Sequence, residues 1–337
     1  MQQVEILKLC LASYIRNWNP IPRLDLCIIK NLKIKLEIQL NNIQIYILNE
    51  ILRKEFTNTN MNHKPIVAIM YDFDKTLSPK DMQEYGFISG LGMNSEEFWE
   101  KSRINMVNHN MDQILAYMLT ILQEAEGRML LTRSVFNEMG RDVKLFDGLE
   151  TWFERTNLYG EKLGLEIEHY IISSGLKEII EGTEIANKFK EIYAAEYCYN
   201  EKSIPIWPAM AVNYTSKTQF LFRINKGVLD VTEHKGLNES TPDNKKRIPF
   251  RNMIYIGDGL TDVPCMKLVK INGGYSIAVY SEDRSIADSL IEQDRIDFVV
   301  KADYRENSDM EKTVHTILNQ IDSINKVYEL HAKHKKI

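Results

Sequence analysis

Short, uninterrupted apolar runs recur along the chain from residue 66 onward. The first covers residues 66–71 (IVAIMY), and later ones cover residues 169–172, 192–195, 253–256, 277–280 and 298–300. Apolar runs of this length without alternation predict strands that are buried on both faces. Apolar residues spaced by three and four predict helices between several of these runs and over the tail from residue 311.

Residues 78–168 carry helical spacing throughout. Ser95, Asp112 and Thr132 are typical of helix starts, and a further amphipathic stretch begins near Leu149. We expect most aromatic and Met side chains of this segment to be core. The candidates for contact with a ligand are Tyr85, Phe87 and Trp99.

The first 62 residues differ from the rest. Apolar and polar residues alternate over 32–40, and Asn41-Asn42 could turn the chain into a second strand at 43–47. A lone hairpin is marginal in water. We hold two interpretations open: an accessory extension that packs on the core, or an over-long gene prediction whose true start is Met61.

Composition narrows the function classes. The 337 residues are 44% hydrophobic, which suits a large domain with an insertion, or two domains. A net charge of -5 with mixed signs argues against a nucleic-acid partner. No apolar run reaches the roughly 18–20 residues of a membrane span, and the four cysteines are widely spaced, as in a reducing compartment. We therefore expect a cytoplasmic protein with no membrane partner; its oligomeric state is open.

Two aspartates follow the first strand. Asp72 and Asp74 stand two residues apart, so on extended backbone their side chains point the same way. The carboxyl end of a strand is where open α/β sheets bind ligands. Paired carboxylates suggest a Mg²⁺ site that also offers a nucleophile and an acid/base. The plainer alternative is a strand that runs into a solvated turn.

Two later segments offer anion-binding groups. Ser173 and Ser174 end the second apolar run before a predicted helix, where hydroxyls and backbone N–H groups either bind an anion or cap the helix. Lys217 lies at the start of a predicted helix over 215–226, a position that the helix dipole does not favour for a cation. The alternatives are a solvated Lys217, or Lys226 in its place.

A glycine-rich acidic segment follows the run at 253–256. Its sequence is GDGLTD (257–262), and the glycines permit close approach of the backbone to a ligand. Asp258 would project from the strand end, with Asp262 on the same side four residues later. Taken alone, the segment could also be a solvated turn.

These segments resemble, in order, the four motifs of the haloacid dehalogenase-like phosphohydrolases. Residues 72–76 (DFDKT) are similar to the DxDxT signature, Ser173 and Lys217 follow, and residues 257–262 are similar to GDGxxD, with Thr261 where related phosphatases have Asn. The helical segment directly after the first strand looks like a C1 cap. The greatest similarity is to phosphoserine phosphatases, although Ser174 and the long 228–250 loop depart from that pattern.

The resemblance implies a doubly wound, Rossmann-like parallel sheet formed by residues 63–77 and 169–337, with residues 78–168 as a helical cap. It also implies Mg²⁺-dependent hydrolysis of a small phosphorylated metabolite. Asp72 would attack phosphorus and Asp74 would serve as acid and base. The implied metal ligands are Asp72, the main-chain carbonyl of Asp74, Asp258 and, close by, Asp262. The implied phosphate-binding residues are Thr76, Ser173, Ser174 and Lys217.

Asp74 distinguishes between some of the alternative functions within the family. Dehalogenases lack the second aspartate as acid/base, so Asp74 favours phosphate chemistry. A phosphotransferase or phosphomutase would use the same groups with another acceptor. A non-catalytic, metal-binding regulatory protein is the rival from another class, but binding alone needs no acid/base.

Overall fold

The computed structural model describes residues 64–242 and 245–335. The predicted N-terminal extension over residues 1–62, its hairpin and the alternative start at Met61 lie outside the described residues. Among the described residues, seven strands form one sheet in the order β4-β3-β2-β1-β5-β6-β7. The strands are β1 (Ile66–Tyr71), β2 (Glu166–Leu176), β3 (Glu191–Tyr199), β4 (Pro205–Met210), β5 (Met253–Gly257), β6 (Tyr275–Tyr280) and β7 (Phe298–Lys301).

Every neighbouring pair in this sheet is parallel except β3 and β4. Helices cover both faces, so the prediction of a doubly wound α/β sheet is confirmed. The helices of the described residues are α1 (Phe87–Gly90), α2 (Ser95–His109), α3 (Gln113–Ala125), α4 (Arg133–Gly140), α5 (Leu149–Lys162), α6 (Lys177–Glu181), α7 (Lys217–Lys226), α8 (Lys235–Asn238), α9 (Val263–Ile271), α10 (Ser285–Glu292) and α11 (Asp309–His334).

The central strand β1 is buried on both faces, as its apolar run predicted. Val67, Ile69 and Tyr71 contact the core under α5, α11 and the segment from α1 to α4. Ala68 and Met70 point the other way, into a core formed with α7, α9 and α10. The alternation of side chains along a strand thus turns one apolar run into the centre of two cores.

The predicted helix starts are confirmed by their capping bonds. The Asp112 side chain accepts from the N–H groups of Ile114 and Leu115, and the Thr132 hydroxyl accepts from Val135 N–H. Such caps satisfy N–H groups that have no partner within the helix. Helix α2 begins at Ser95, with Asn94 as its cap.

The helical segment 78–168 divides by its packing. Helices α2 and α3 pack on each other, whereas α5 packs on strand β2 and helix α11. Helix α5 therefore belongs by its contacts to the layer that covers the sheet, although the sequence placed the end of the cap at residue 168. The domain boundaries remain predictions.

One strand contradicts the sequence interpretation. Pro205 and Pro208 predict an irregular stretch after the apolar run at 192–195. Residues 205–210 instead form β4, the antiparallel edge strand beside β3. An edge strand tolerates proline because one side of it needs no hydrogen-bond donors.

The order of the strands fixes where a ligand can bind. From β1 the chain moves outward through β2 and β3, then returns to β5 on the other side of β1. The connections on either side of β1 and β5 diverge at the carboxyl ends of these strands. In open α/β sheets this switch point is the usual binding crevice.

Candidate active site

The end of β1 is fixed by backbone bonds before its side chains are considered. The Asp72 N–H donates to Ile256 O (2.9 Å), which joins it to β5. The Phe73 carbonyl then accepts from the N–H groups of Leu77 (2.8 Å) and Ser78 (3.2 Å). This tight loop has Lys75 in the left-handed region (φ 56°), and it turns both aspartates toward the switch point.

Asp72 and Asp74 are held in different ways. The Asp72 carboxylate accepts from Phe73 N–H (2.8 Å) through Oδ1 and lies 3.1 Å from Lys217 Nζ through Oδ2. Asp74 Oδ1 accepts from Met82 N–H (2.7 Å), a backbone group of the 3₁₀ turn after the loop. The predicted pair therefore converges on one site with separate supports.

Lys217 is fully buried at the first turn of α7. Its Nζ donates to Asp262 Oδ1 (2.7 Å) and lies beside Asp72. Burial lowers the pKa of Lys217, but the nearby Asp262 and Asp72 carboxylates outweigh it, so the pKa is raised and the amine stays charged. The solvated alternative is wrong, and Lys226 instead donates to the carbonyls of Leu237 and Glu239.

Asp262 sits under the glycine-rich turn. It is fully buried, and a Cβ at Gly257 would lie 2.5 Å from its Oδ2. Only glycine therefore leaves room for this carboxylate. Tyr255, on β5, donates its hydroxyl to Asp262 Oδ1 (2.7 Å), the oxygen that also accepts from Lys217.

Three carboxylates form a candidate cation site. Asp72, Asp258 and Asp262 each offer one carboxylate oxygen, and these three oxygens lie within 4.8 Å of one another. Asp262 Oδ2 is buried and has no hydrogen-bond partner in the described part of the chain. An orphaned buried oxygen in an all-carboxylate cluster fits a hard cation such as Mg²⁺. In the described part of the chain, the Asp74 carboxylate is not in this group.

Burial and mutual repulsion raise the pKa values of these acids. Burial, then the Asp262 charge, raise the pKa of Asp72 to about 6 despite the opposing effect of Lys217. Burial, then Asp81 and Asp72, raise the pKa of Asp74 well above its ordinary value. Burial, then Asp262 and Asp72, do the same for Asp258. A cation would relieve this repulsion, whereas Asp74 suits a group that holds a proton.

The predicted phosphate-binding hydroxyls are all buried. Ser173 Oγ accepts from Gly175 N–H (3.1 Å), and Ser174 Oγ and Thr76 Oγ1 have no partner in the described residues. Helix α6 has no side-chain cap, so the helix-capping alternative for the serines is wrong. A Cβ at Gly175 would meet Met82 Cε, the end of a flexible side chain, and lie 3.0 Å from Asp74 Oδ2, so a side chain there would crowd Asp74.

A cavity of about 420 Å³ opens onto the carboxylates. Thr76, Lys217 and Asp262 are fully buried behind its wall. Of the three aromatic candidates, Trp99 lines the cavity, Phe87 is buried against Phe98, and Tyr85 bonds to the Ser78 hydroxyl. The lining residues that matter here are Asp72, Asp74, Ser173, Ser174 and Asp258 from the strand ends, and Trp99, Ser102, Arg103, Met106, Gln113, Ile114 and Tyr117 from α2 and α3.

Two functional groups escaped the sequence interpretation. Tyr255 looked like one more apolar strand residue, and its only signal was the period of two that places it on the opposite face from Ile254 and Ile256. The Met82 N–H is a backbone donor, and the residue type at a position does not indicate whether its backbone N–H contacts a functional side chain.

The haloacid dehalogenase-like hydrolase family model matches residues 69–267, more than half of the chain. The chain belongs to this family. It is 27% identical over 269 residues to an uncharacterised protein of Borreliella burgdorferi, covering 71% of this chain and 92% of that protein.

Solved structures with a similar fold share little sequence. A substrate-bound phosphoserine phosphatase is 14% identical, with a TM-score of 0.48 over 72% of this chain and 97% of that one. A phosphoserine phosphohydrolase-like protein of Francisella tularensis is 20% identical, with a TM-score of 0.43 over 69% and 94%. In the described residues, no helix combines the length and the apolar character that crossing a membrane requires.

Proposed function

We propose that the protein is a Mg²⁺-dependent phosphomonoester hydrolase that acts on a small phosphorylated metabolite through an aspartyl-phosphate on Asp72. The observation that carries this proposal is the pairing of Asp72 with Asp74 in one cavity, with Lys217 against Asp72. A nucleophile, an acid/base and a fixed cation are what phosphoryl transfer to a carboxylate requires. A cavity of about 420 Å³ suits a small substrate.

Asp72 is the proposed nucleophile. Its Oδ1 accepts from Phe73 N–H and its Oδ2 lies beside Lys217, so the carboxylate is held in a single orientation. Lys217 stabilises the ionised form that attacks phosphorus, and it offsets negative charge as the phosphoryl group arrives. Attack forms the bond from the Asp72 carboxylate to phosphorus and breaks the bond from phosphorus to the leaving oxygen.

Asp74 is the proposed general acid and base. Because its Oδ1 accepts from Met82 N–H, a proton on this carboxyl lies on Oδ2. Burial and the charges of Asp81 and Asp72 raise its pKa well above the ordinary value, which favours the protonated form that a general acid needs. The proton passes to the leaving oxygen, and the resulting carboxylate then takes a proton from the water that hydrolyses the aspartyl-phosphate.

Asp72, Asp258 and Asp262 would hold Mg²⁺, with the Asp74 main-chain carbonyl as the further proposed ligand. When bound, Mg²⁺ supplies positive charge to the phosphoryl oxygens. Ser173 and Ser174, which line the cavity, are the proposed hydroxyl donors to the phosphate. The Thr76 hydroxyl, the third predicted donor, is fully buried behind the cavity wall and does not reach it.

The test is phosphate release by the purified protein with Mg²⁺ and with EDTA, from para-nitrophenyl phosphate and a panel of phosphorylated metabolites. We expect Mg²⁺-dependent release, and we expect Asp72→Asn to reduce it to the background rate because an amide cannot form the covalent intermediate. Asp283→Asn is the matched control, since Asp283 is exposed and contacts only its own turn.

Turnover by Asp72→Asn at the wild-type rate would contradict the assigned nucleophile. Wild-type protein that binds Mg²⁺ but releases no phosphate from any compound would contradict hydrolysis and leave phosphoryl transfer to another acceptor as the function to test. Thermal unfolding of all three proteins should be similar, which shows that the variants fold.

A further inference from the structure

Tyr255 makes a side-chain contact in this site that no motif predicts. Its side chain is fully buried in the core under α7 and α9, and its hydroxyl donates to Asp262 Oδ1 (2.7 Å). It does not line the cavity, so a role in contact with substrate does not explain the bond. The question is what the bond does for Asp262.

The bond completes a chain of fixed groups. Asp262 Oδ1 accepts from both Tyr255 and Lys217, and Lys217 Nζ lies 3.1 Å from Asp72 Oδ2. The other oxygen of Asp262 lies against Gly257 and has no hydrogen-bond partner among the described residues. The Asp262 carboxylate is thus oriented from two sides: by the Gly257 backbone and by its two donors.

These two donors differ in what else they do. Lys217 is shared with Asp72, so its interactions are divided between the two carboxylates. Tyr255 is carried by the rigid central strand β5, which pairs with β1 and β6 on either side. Its hydroxyl therefore gives Asp262 a fixed reference that does not depend on the state of the nucleophile.

We propose that Tyr255 is a positioning residue that fixes the Asp262 carboxylate for cation binding and for holding Lys217 against Asp72. The inference rests on the proposed function for its catalytic consequence, whereas its consequence for metal binding does not require turnover. Groups that orient a metal ligand in this way are worth about 10- to 100-fold in metal affinity or activity.

The test is Tyr255→Phe, which removes only the hydroxyl and keeps the ring. We expect the dissociation constant for Mg²⁺, measured by calorimetry, to rise about 10-fold or more. With substrate, we expect kcat to fall at low Mg²⁺ and to recover largely when Mg²⁺ is raised, with little change in KM, because the phosphate contacts remain.

Tyr193→Phe is the matched control. Tyr193 is also a buried strand tyrosine in the same core, and its hydroxyl donates to Leu229 O (2.9 Å), away from the carboxylates. Each variant loses one hydrogen bond of a buried tyrosine, so both should unfold at a lower denaturant concentration than wild type. Only Tyr255→Phe should lose Mg²⁺ affinity.

Equal Mg²⁺ affinities in the two variants would overturn the inference, and so would wild-type protein that binds no Mg²⁺. Failure of the proposed function looks different: wild-type protein then binds Mg²⁺ without releasing phosphate, and the calorimetric comparison of the two variants still decides the role of Tyr255.

Discussion

At the scale of single residues, the support of Asp74 comes from a backbone group that follows it closely in the chain. Met82 N–H occupies one oxygen, and Gly175 leaves room for the other. The loop after β1 and the end of β2 therefore meet on this carboxyl. A short loop and a missing side chain thus fix the orientation of this carboxyl, the proposed acid/base, which explains why the sequence alone names Asp74 without giving its orientation.

Asp74→Asn should separate the two halves of the reaction. An amide can neither protonate the leaving group nor take a proton from water, so we expect steady-state turnover to fall about 100- to 10,000-fold. Para-nitrophenolate leaves without much help from an acid. We therefore expect a burst close to one equivalent of para-nitrophenolate, followed by slow turnover, in rapid-mixing experiments.

Asp283→Asn is again the control for this burst. Asp283 is exposed and bonds only within its own turn, so its loss should leave multiple turnovers intact. Unchanged steady-state turnover in Asp74→Asn would show that another group acts as the base.

At the scale of elements, two glycines allow α4 to lie against α6. A Cβ at Gly140 would overlap Ile179 O and lie 2.7 Å from Gly182 Cα. These contacts are backbone atoms, which cannot move aside as a flexible side chain can. Through this close approach, α4 packs against α6, the helix that directly follows strand β2.

Gly140→Ala should destabilise the protein by about 1–3 kcal/mol, because overpacking against backbone outweighs the better helix propensity of Ala. Denaturant unfolding gives the change in the free energy of unfolding. Gly90→Ala is the control: its new methyl group meets only Met129 Cε (2.9 Å), the mobile end of a side chain, so stability should change little. Equal stability of both variants would show that the α4–α6 contact relaxes.

The elements also show how far sequence reasoning reaches. Period and capping residues predicted β1, α2, α3 and the acidic turn because each depends on local chemistry. Strand β4 was missed because proline is excluded from central strands but allowed at an edge, and being at the edge is a property of the whole sheet. Tyr255 was missed for a related reason, since its partner Asp262 is brought to it only by the turn at Gly257.

At the scale of the whole molecule, one buried histidine joins three elements of the sheet layer. Trp152 Nε1 donates to the Tyr71 hydroxyl (2.9 Å), which bonds to His169 Nδ1 (3.0 Å), while His169 Nε2 bonds to Asn157 Oδ1 (3.0 Å). The chain of bonds is satisfied when the imidazole is neutral, with its hydrogen on Nε2. The neutral His169 ring links strands β1 and β2 to helix α5, and a second proton on the ring would disrupt these bonds.

This ring should make the stability of the protein depend on pH. Burial lowers the pKa of His169 to about 3, below its ordinary value of 6.5. Between these values the unfolded chain binds a proton that the folded protein does not, so the free energy of unfolding falls as pH falls through this window, by up to about 1.4 kcal/mol per pH unit. Stability from this group is fully present only above about pH 6.5.

His169→Gln should remove that slope, because glutamine does not titrate, although it should lower stability at neutral pH through lost packing. Denaturant unfolding of wild type and variant between about pH 4 and about pH 7.5 gives two curves, and their difference isolates His169 from the carboxylates, which both proteins share. The exposed His331→Gln should keep the wild-type slope. Parallel curves for wild type and His169→Gln would show that the folded protein admits the proton and that the Tyr71–His169–Asn157 chain rearranges to accept it.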